Sequence, residues 1–171
     1  MINERVEKAL NEQVNAEIYS AYLYLSMSSY FDSVNLSGFA QWMKAQAQEE
    51  MVHAMKLYDY VIERGGRMLL GAIEGPPTQW ENPVAAFEAT LEHERKVTAL
   101  INNLVEIALA EKDHATNIFL QWFVSEQVEE EASVDSVLQK LKMIGSQGQG
   151  LFMMDRELGS RVAPVAMPAT D

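Results

Sequence analysis

Apolar residues recur at three- and four-residue intervals over four long stretches of this chain, the spacing of helices that bury one stripe. The first stretch, 3–32, aligns Leu10, Val14, Glu17, Ala21, Tyr24, Ser28 and Phe31. The second, about 38–64, aligns Phe39, Met43, Gln46, Glu50, His53, Leu57 and Tyr60. The third, from 83 to about 112, aligns Phe87, Leu91, Glu94, Val97, Ile101 and Leu104. The fourth, about 115–144, aligns Phe119, Phe123, Gln127, Glu130, Val134, Val137 and Leu141. A shorter helical segment, 151–161, follows the glycine-rich turn Gly145–Gly150. The breaks carry stop and start signals: Ser37 as an N-cap, Gly65-Gly66 as a stop, and Asn82-Pro83 as a cap with proline at the first helical position. Asp113 or a neighbour separates the third and fourth helices.

The connection between the second and third helices sets the topology. It spans about 16 residues, Gly66 to Glu81, and contains Pro76-Pro77. Extended, it reaches about 53–58 Å, whereas a 28-residue helix is about 42 Å long. It can therefore travel the whole bundle, while the other two links are only turns. Two antiparallel hairpins joined by one long crossover make an all-α, ferritin-like four-helix bundle. The expected organisation is a bundle over 1–145, a short C-terminal helix over 146–161 and a loose tail over 162–171.

Each stripe is interrupted near its middle by a carboxylate: Glu17, Glu50, Glu94 and Glu130. One such glutamate is ordinarily a boundary residue with its head in water. Four converging at one height are different, because each uncompensated buried charge costs several kcal/mol. No lysine or arginine lies in the central stripes, so metal cations are the natural counter-ions. Two divalent ions neutralise four carboxylates with His53 neutral. Oxygen ligands with one imidazole suit iron, manganese or zinc better than copper. Glu50-x-x-His53 is the i, i+3 chelating pair of carboxylate-bridged di-metal bundles. The fourth helix offers Gln127-x-x-Glu130 in place of a second such pair, which predicts a weaker, more labile second position.

Composition narrows the class further. The chain has 171 residues, 48% of them hydrophobic, enough for one domain with a sizeable core. It contains no cysteine, which excludes disulfides, zinc-thiolate sites and thiol catalysis. A formal charge of -12 argues against nucleic acid and anionic membranes and favours cations. No apolar run is long enough to span a membrane. The opening residues carry charges where a signal peptide needs an apolar stretch, so a cytoplasmic protein is expected.

The segments Asn15-Ala16-Glu17-Ile18-Tyr19-Ser20-Ala21-Tyr22-Leu23-Tyr24, Gln48-Glu49-Glu50-Met51-Val52-His53, Glu92-His93-Glu94 and 119–131 (Phe119 to Glu131) are long and specific. Through them the chain resembles a non-haem prokaryotic ferritin along nearly its whole length. The resemblance implies that Glu17, Glu50 and His53 hold one iron, with Glu50 bridging to a second held by Glu94 and Glu130 beside Gln127. It also implies a third, transient iron site from Glu49, Glu126 and Glu129, with Glu130 open to sharing, and a redox-active Tyr24. The implied activity is oxidation of two Fe²⁺ per subunit by O₂ or H₂O₂. Ferric oxyhydroxide is then stored in a homo-oligomeric shell of about 24 copies.

Other features carry less. Met51 sits in a Glu-Met-x-His setting comparable to that of haem-binding bacterioferritins, but the surrounding sequence follows the non-haem branch and no haem is expected. His93 and His114 read as surface histidines, and Trp122 as a core tryptophan or an electron donor. Leu151, Phe152, Met153, Met154 and Leu158 give the fifth helix an exposed apolar side, expected to pack at a shell symmetry axis. Rival readings explain less: di-iron peroxidases typically use a cysteine site or a substrate pocket, DNA-binding mini-ferritins a basic tail, and a plain bundle leaves the glutamates unexplained.

Overall fold

A computed structural model describes residues 2–145 and 148–162. It contains helices α1 (Glu4–Ser33), α2 (Ser37–Glu63), α3 (Pro83–Ala110), α4 (His114–Ile144) and α5 (Gln149–Leu158), with no strand among the described residues. The four long helices form the expected bundle. Of the expected tail, 162–171, only Val162 lies within the described residues.

Local chemistry fixes several of the helix ends. Asn3 accepts from Arg5 N at 2.8 Å, and Asn82 from Ala85 N at 2.9 Å. Asp113 accepts from Thr116 N at 3.1 Å and so starts α4. The same carboxylate takes both Arg64 Nη1 and Nη2 at 3.1 Å, tying the end of α2 to the start of α4. Gly65 stops α2 with φ +74°, a conformation that glycine adopts without a Cβ clash.

The start of α2 departs from expectation. Ser37 is already helical and makes no cap bond. The cap comes from α5, where Asp155 Oδ1 accepts from Gly38 N at 2.8 Å and Phe39 N at 3.1 Å. Helices dock this closely only because residue 38 is glycine: a Cβ there would lie 1.6 Å from the Asp155 carbonyl oxygen.

The crossover lies along α1 as an extended chain held by side chains one helical turn apart. Arg67 N donates to Glu7 Oε1 at 2.8 Å, Leu69 N to Asn11 Oδ1, and Gly71 N to Asn15 Oδ1 at 3.2 Å. Four helical residues rise about 6 Å and two extended residues about 6.6 Å, so the i, i+4 and i, i+2 repeats stay in step. Farther along, Ser26 Oγ donates to Pro77 O at 2.6 Å and Trp80 packs on Tyr30. The link thus runs from the first turn of α1 nearly to its last, and carries α3 back antiparallel to α1.

The interior has three parts. An aromatic half contains Tyr24, Phe31, Phe39, Trp42 and Phe87, and an aliphatic half contains Val6, Leu10, Leu57, Ile101 and Leu120. Between them lies a polar layer drawn from all four long helices. The Cα atoms of α2 and α4 nowhere come within 8 Å, so that seam is bridged by side chains alone, including the stacked Tyr60 and Phe119 rings.

The fifth helix is the main correction. Met154 and Leu158 are buried in the aromatic half and Leu151 packs against it, so they do not form an exposed side. Only Phe152 and Met153 project outward. The segment is also shorter than 151–161, ending at Leu158 before Gly159.

Candidate metal centre

The polar layer contains Glu17, Glu50, His53, Glu94, Gln127 and Glu130, all buried. Each occupies a stripe position that would otherwise hold a core leucine or valine, so helical periodicity alone aims it inward. Glu17, Glu50 and His53 bring one donor atom each to within 4.8 Å of one another. A second group, Glu49, His53, Glu126 and Glu130, meets the same limit toward the α2–α4 seam. His53 belongs to both.

Neutral amides order the carboxylates. Gln13 Nε2 donates to Glu17 Oε1 at 2.8 Å. Gln46 Nε2 donates to Glu130 Oε2 at 2.6 Å and to Glu50 Oε1 at 3.2 Å. Gln127 Nε2 donates to Glu94 Oε2 at 3.3 Å, and the Tyr24 hydroxyl donates to Glu94 Oε1. His53 Nδ1 lies 3.3 Å from Glu50 Oε2. Glu17 Oε2 alone, among the described residues, is a buried side-chain oxygen or nitrogen with no hydrogen-bond partner.

Electrostatics match this burial. Desolvation pushes the Glu17 carboxyl well above its ordinary range, and the Glu50 charge adds to the shift. Burial raises Glu50 likewise, with Glu94 and Glu130 next in effect. Glu130 rises to about 7, first by burial and then by repulsion from Glu94 and Glu49. Burial also raises Glu94 and, less deeply placed, Glu126. No lysine or arginine among the described residues pairs with Glu17, Glu50, Glu94 or Glu130. Without added cations the layer holds protons. An orphaned carboxylate oxygen, converging donors and missing counter-charge together fit divalent cations bound by oxygen and one imidazole.

Several residues lie apart from the two groups. Glu94 shares the layer but is occupied by Tyr24 and Gln127, while Glu129 is exposed and joins neither group. Glu126 and Glu130, one turn apart, face the seam instead. Trp122 is no core residue: it is 37% exposed, with its ring edge-on to His53 at 5.4 Å. His114 is exposed at the start of α4. His93 is not a surface histidine. Its Nε2 lies 2.8 Å from Ser20 Oγ, it packs between Tyr19 and Tyr24, and burial lowers its pKa to about 4. Gln13 and Arg161 carry no mark in the local pattern that singles them out. Gln46 stands in the polar centre of its stripe, and that position was its signal.

Comparison with known proteins agrees with this arrangement. The family model for the ferritin-like domain matches residues 7–144. A bacterial non-heme ferritin of Bacteroides fragilis is 50% identical over 161 residues, 94% of this chain and 100% of that protein. A probable bacterial non-heme ferritin-like protein of Haemophilus influenzae is 42% identical, covering 94% and 97%. Among solved structures, an open pore ferritin of the archaeon Archaeoglobus fulgidus superposes with TM-score 0.93 at 57% identity, covering 95% of this chain and 100% of that one. An engineered closed form of that ferritin gives TM-score 0.95 at 56% identity, covering 96% and 100%. By sequence and by fold, this chain belongs to the ferritin family.

Proposed function

We propose that this chain is an iron-storage subunit that oxidises Fe²⁺ in its polar layer and delivers Fe³⁺ to a mineral inside a closed homo-oligomeric shell. The observation that carries the reading is a layer of four buried carboxylates with no basic partner and one oxygen left unpaired. Glu17, Glu50 and His53 take one Fe²⁺. Glu50 reaches toward a second held by Glu94 and Glu130, with Gln127 steadying Glu94. The outer group of Glu49, His53, Glu126 and Glu130 supports a third, transient position; Glu129 stands at its exposed flank. Each entering cation displaces protons that the raised carboxyls hold, so loading is an exchange of H⁺ for Fe²⁺.

Two Fe²⁺ then supply the two electrons that reduce O₂ to H₂O₂ with uptake of two protons; with H₂O₂ as oxidant, the same two electrons and two protons give two waters. The family relationship supports the ferroxidase and storage readings. The centre lies inside one bundle, so each subunit carries a complete set of these residues. Tyr24, bonded to Glu94, lies close enough to the centre to lend an electron. Because the Glu94/Glu130 position has no histidine, we expect it to fill after the Glu17/Glu50/His53 position.

Assembly follows from two surfaces. Tyr22, Leu25 and Met51 form an exposed apolar strip on α1 and α2, and Phe152 and Met153 project from α5. We assign the strip to contact with a second copy and α5 to a shell axis, in a particle of about 24 subunits. Among the described residues no helix is long and apolar enough to cross a membrane, and a cytoplasmic setting suits storage of ferrous iron.

The test is the Glu50→Ala/His53→Ala double variant. Stopped-flow oxidation of Fe²⁺ should slow at least about a hundredfold, since bound metal contributes several kcal/mol of rate stabilisation. Light scattering should still show the assembled shell. Unchanged oxidation would overturn the assignment of the centre, and a monomer at every salt concentration would overturn storage.

A further inference from the structure

Beyond the residues that would hold iron, one cation already sits at the rim of the centre. Arg161 follows α5 and returns its side chain to α2. Its Nη2 donates to Glu49 Oε2 at 2.7 Å and its Nη1 to Gln46 Oε1 at 2.8 Å. The guanidinium carbon lies 4.3 Å from the Trp42 ring centroid. The ion pair is largely shielded, with side-chain exposure of 22% for Arg161 and 19% for Glu49. Such a pair is stronger than a mobile surface pair, because less water competes for either charge.

The contact with Gln46 has a directional consequence. A guanidinium has donors and no acceptor, so it binds the amide oxygen of Gln46 and turns the amide nitrogen inward. That nitrogen is the group that donates to Glu130 and Glu50. Arg161 therefore occupies one ligand of the outer group and orients the amide that orders two ligands of the layer. Its backbone N donates to Leu158 O at 3.2 Å, at the end of the helix that the Asp155 cap on Gly38 and Phe39 docks on the bundle.

We propose that Arg161 is an internal, displaceable cation for the outer site: a divalent ion entering between Glu49, Glu126 and Glu130 must release Glu49 from the guanidinium, and that release loosens the end of α5. Arg161 is thus a positioning residue that keeps outer-site affinity low enough for iron to pass, and it couples that site to the helix assigned to the shell axis. The proposal rests on the outer-site reading given above.

Zinc, which is redox-inert, tests it without turnover. Crystals of the assembled wild-type and Arg161→Gln proteins are soaked in a graded Zn²⁺ series, and anomalous scattering gives occupancy at each position. Outer-site affinity should rise about three- to tenfold in R161Q, the equivalent of losing one partly shielded ion pair. The Glu17/Glu50/His53 position should change by less than about twofold. Arg161→Lys, which keeps the charge but loses the fork, should stay close to wild type at the outer site. In wild-type protein, Zn²⁺ should also speed amide hydrogen exchange over residues 159–162. Outer-site occupancy that ignores R161Q, or exchange that ignores Zn²⁺, overturns the proposal alone. Absence of outer-site zinc in both proteins overturns the proposal and the outer site together.

Discussion

The two ends of the metal centre share His53 and differ in almost everything else. At the inner end, Glu17 is 1% exposed, one oxygen is bonded to a neutral amide and the other to nothing. At the outer end, Glu49 and Glu126 are only partly buried, and Glu49 is neutralised by Arg161. The contrast shows two ways of managing a carboxylate in a fold. Full burial makes the group hold a proton until a multiply charged ion arrives. Partial burial leaves it in reach of water and lends it a replaceable partner. On the proposed function, an inner position built in the first way binds tightly, and an outer position built in the second way passes ions on.

The sharpest way to break this contrast is to remove the carboxylate at each end. Glu17→Leu combined with Gln13→Leu, which removes the buried amide that would otherwise lose its acceptor, should stabilise the metal-free protein by about 1–3 kcal/mol, because it deletes a buried carboxyl with an unpaired oxygen. Scanning calorimetry on chelator-treated protein should show a higher melting temperature. Glu126→Leu should show no such gain, its carboxyl being partly hydrated. Equal gains at both positions would mean that the two ends are not distinct.

The pH dependence sharpens the same contrast with a smaller effect. Carboxyls raised in the folded state bind more protons than they do in the unfolded chain. Their contribution is therefore complete below the ordinary glutamate value of 4.5 and is lost as pH climbs through the folded value. For Glu130 that window runs from about 4.5 to about 7. The melting temperature of metal-free protein should fall as pH rises through this window, Glu130→Gln should flatten the fall, and Zn²⁺ should reverse it. A melting temperature that climbs through the window in metal-free protein would contradict the burial argument.

The smallest effect concerns the hydroxyl on Glu94. Tyr24→Phe removes one buried hydrogen bond, worth about 1 kcal/mol, and leaves the ring packed in the aromatic half. Assembly and metal stoichiometry should persist. A tyrosyl radical signal seen by electron paramagnetic resonance during Fe²⁺ oxidation should vanish in the variant; a signal that survives would assign the electron to another residue, with Trp122 beside His53 the next to test.

The sequence by itself determined the bundle and the polar layer. Glu17, Glu50, Glu94 and Glu130 stand on stripes whose apolar neighbours fix the buried face, and a helical period is local information. The length of the crossover likewise pointed to the long connection, because reach depends only on residue count and a plain up-down bundle would not need such a loop. What the tertiary structure decided are the contacts between distant segments. The Asp155 cap on Gly38 spans 117 residues and the Arg161–Glu49 pair 112. No periodicity encodes either one, which is why Ser37 reads as a cap and α5 as an exposed apolar helix. The rungs from Glu7, Asn11 and Asn15 to the crossover are polar residues on an outer face, indistinguishable from solvated ones until an extended chain lies across them. His93 reads as a surface residue for the related reason that its burial depends on Ser20, Tyr19 and Tyr24 of another helix. A helix decides which way its own side chains point, and only the packed neighbours decide what they meet.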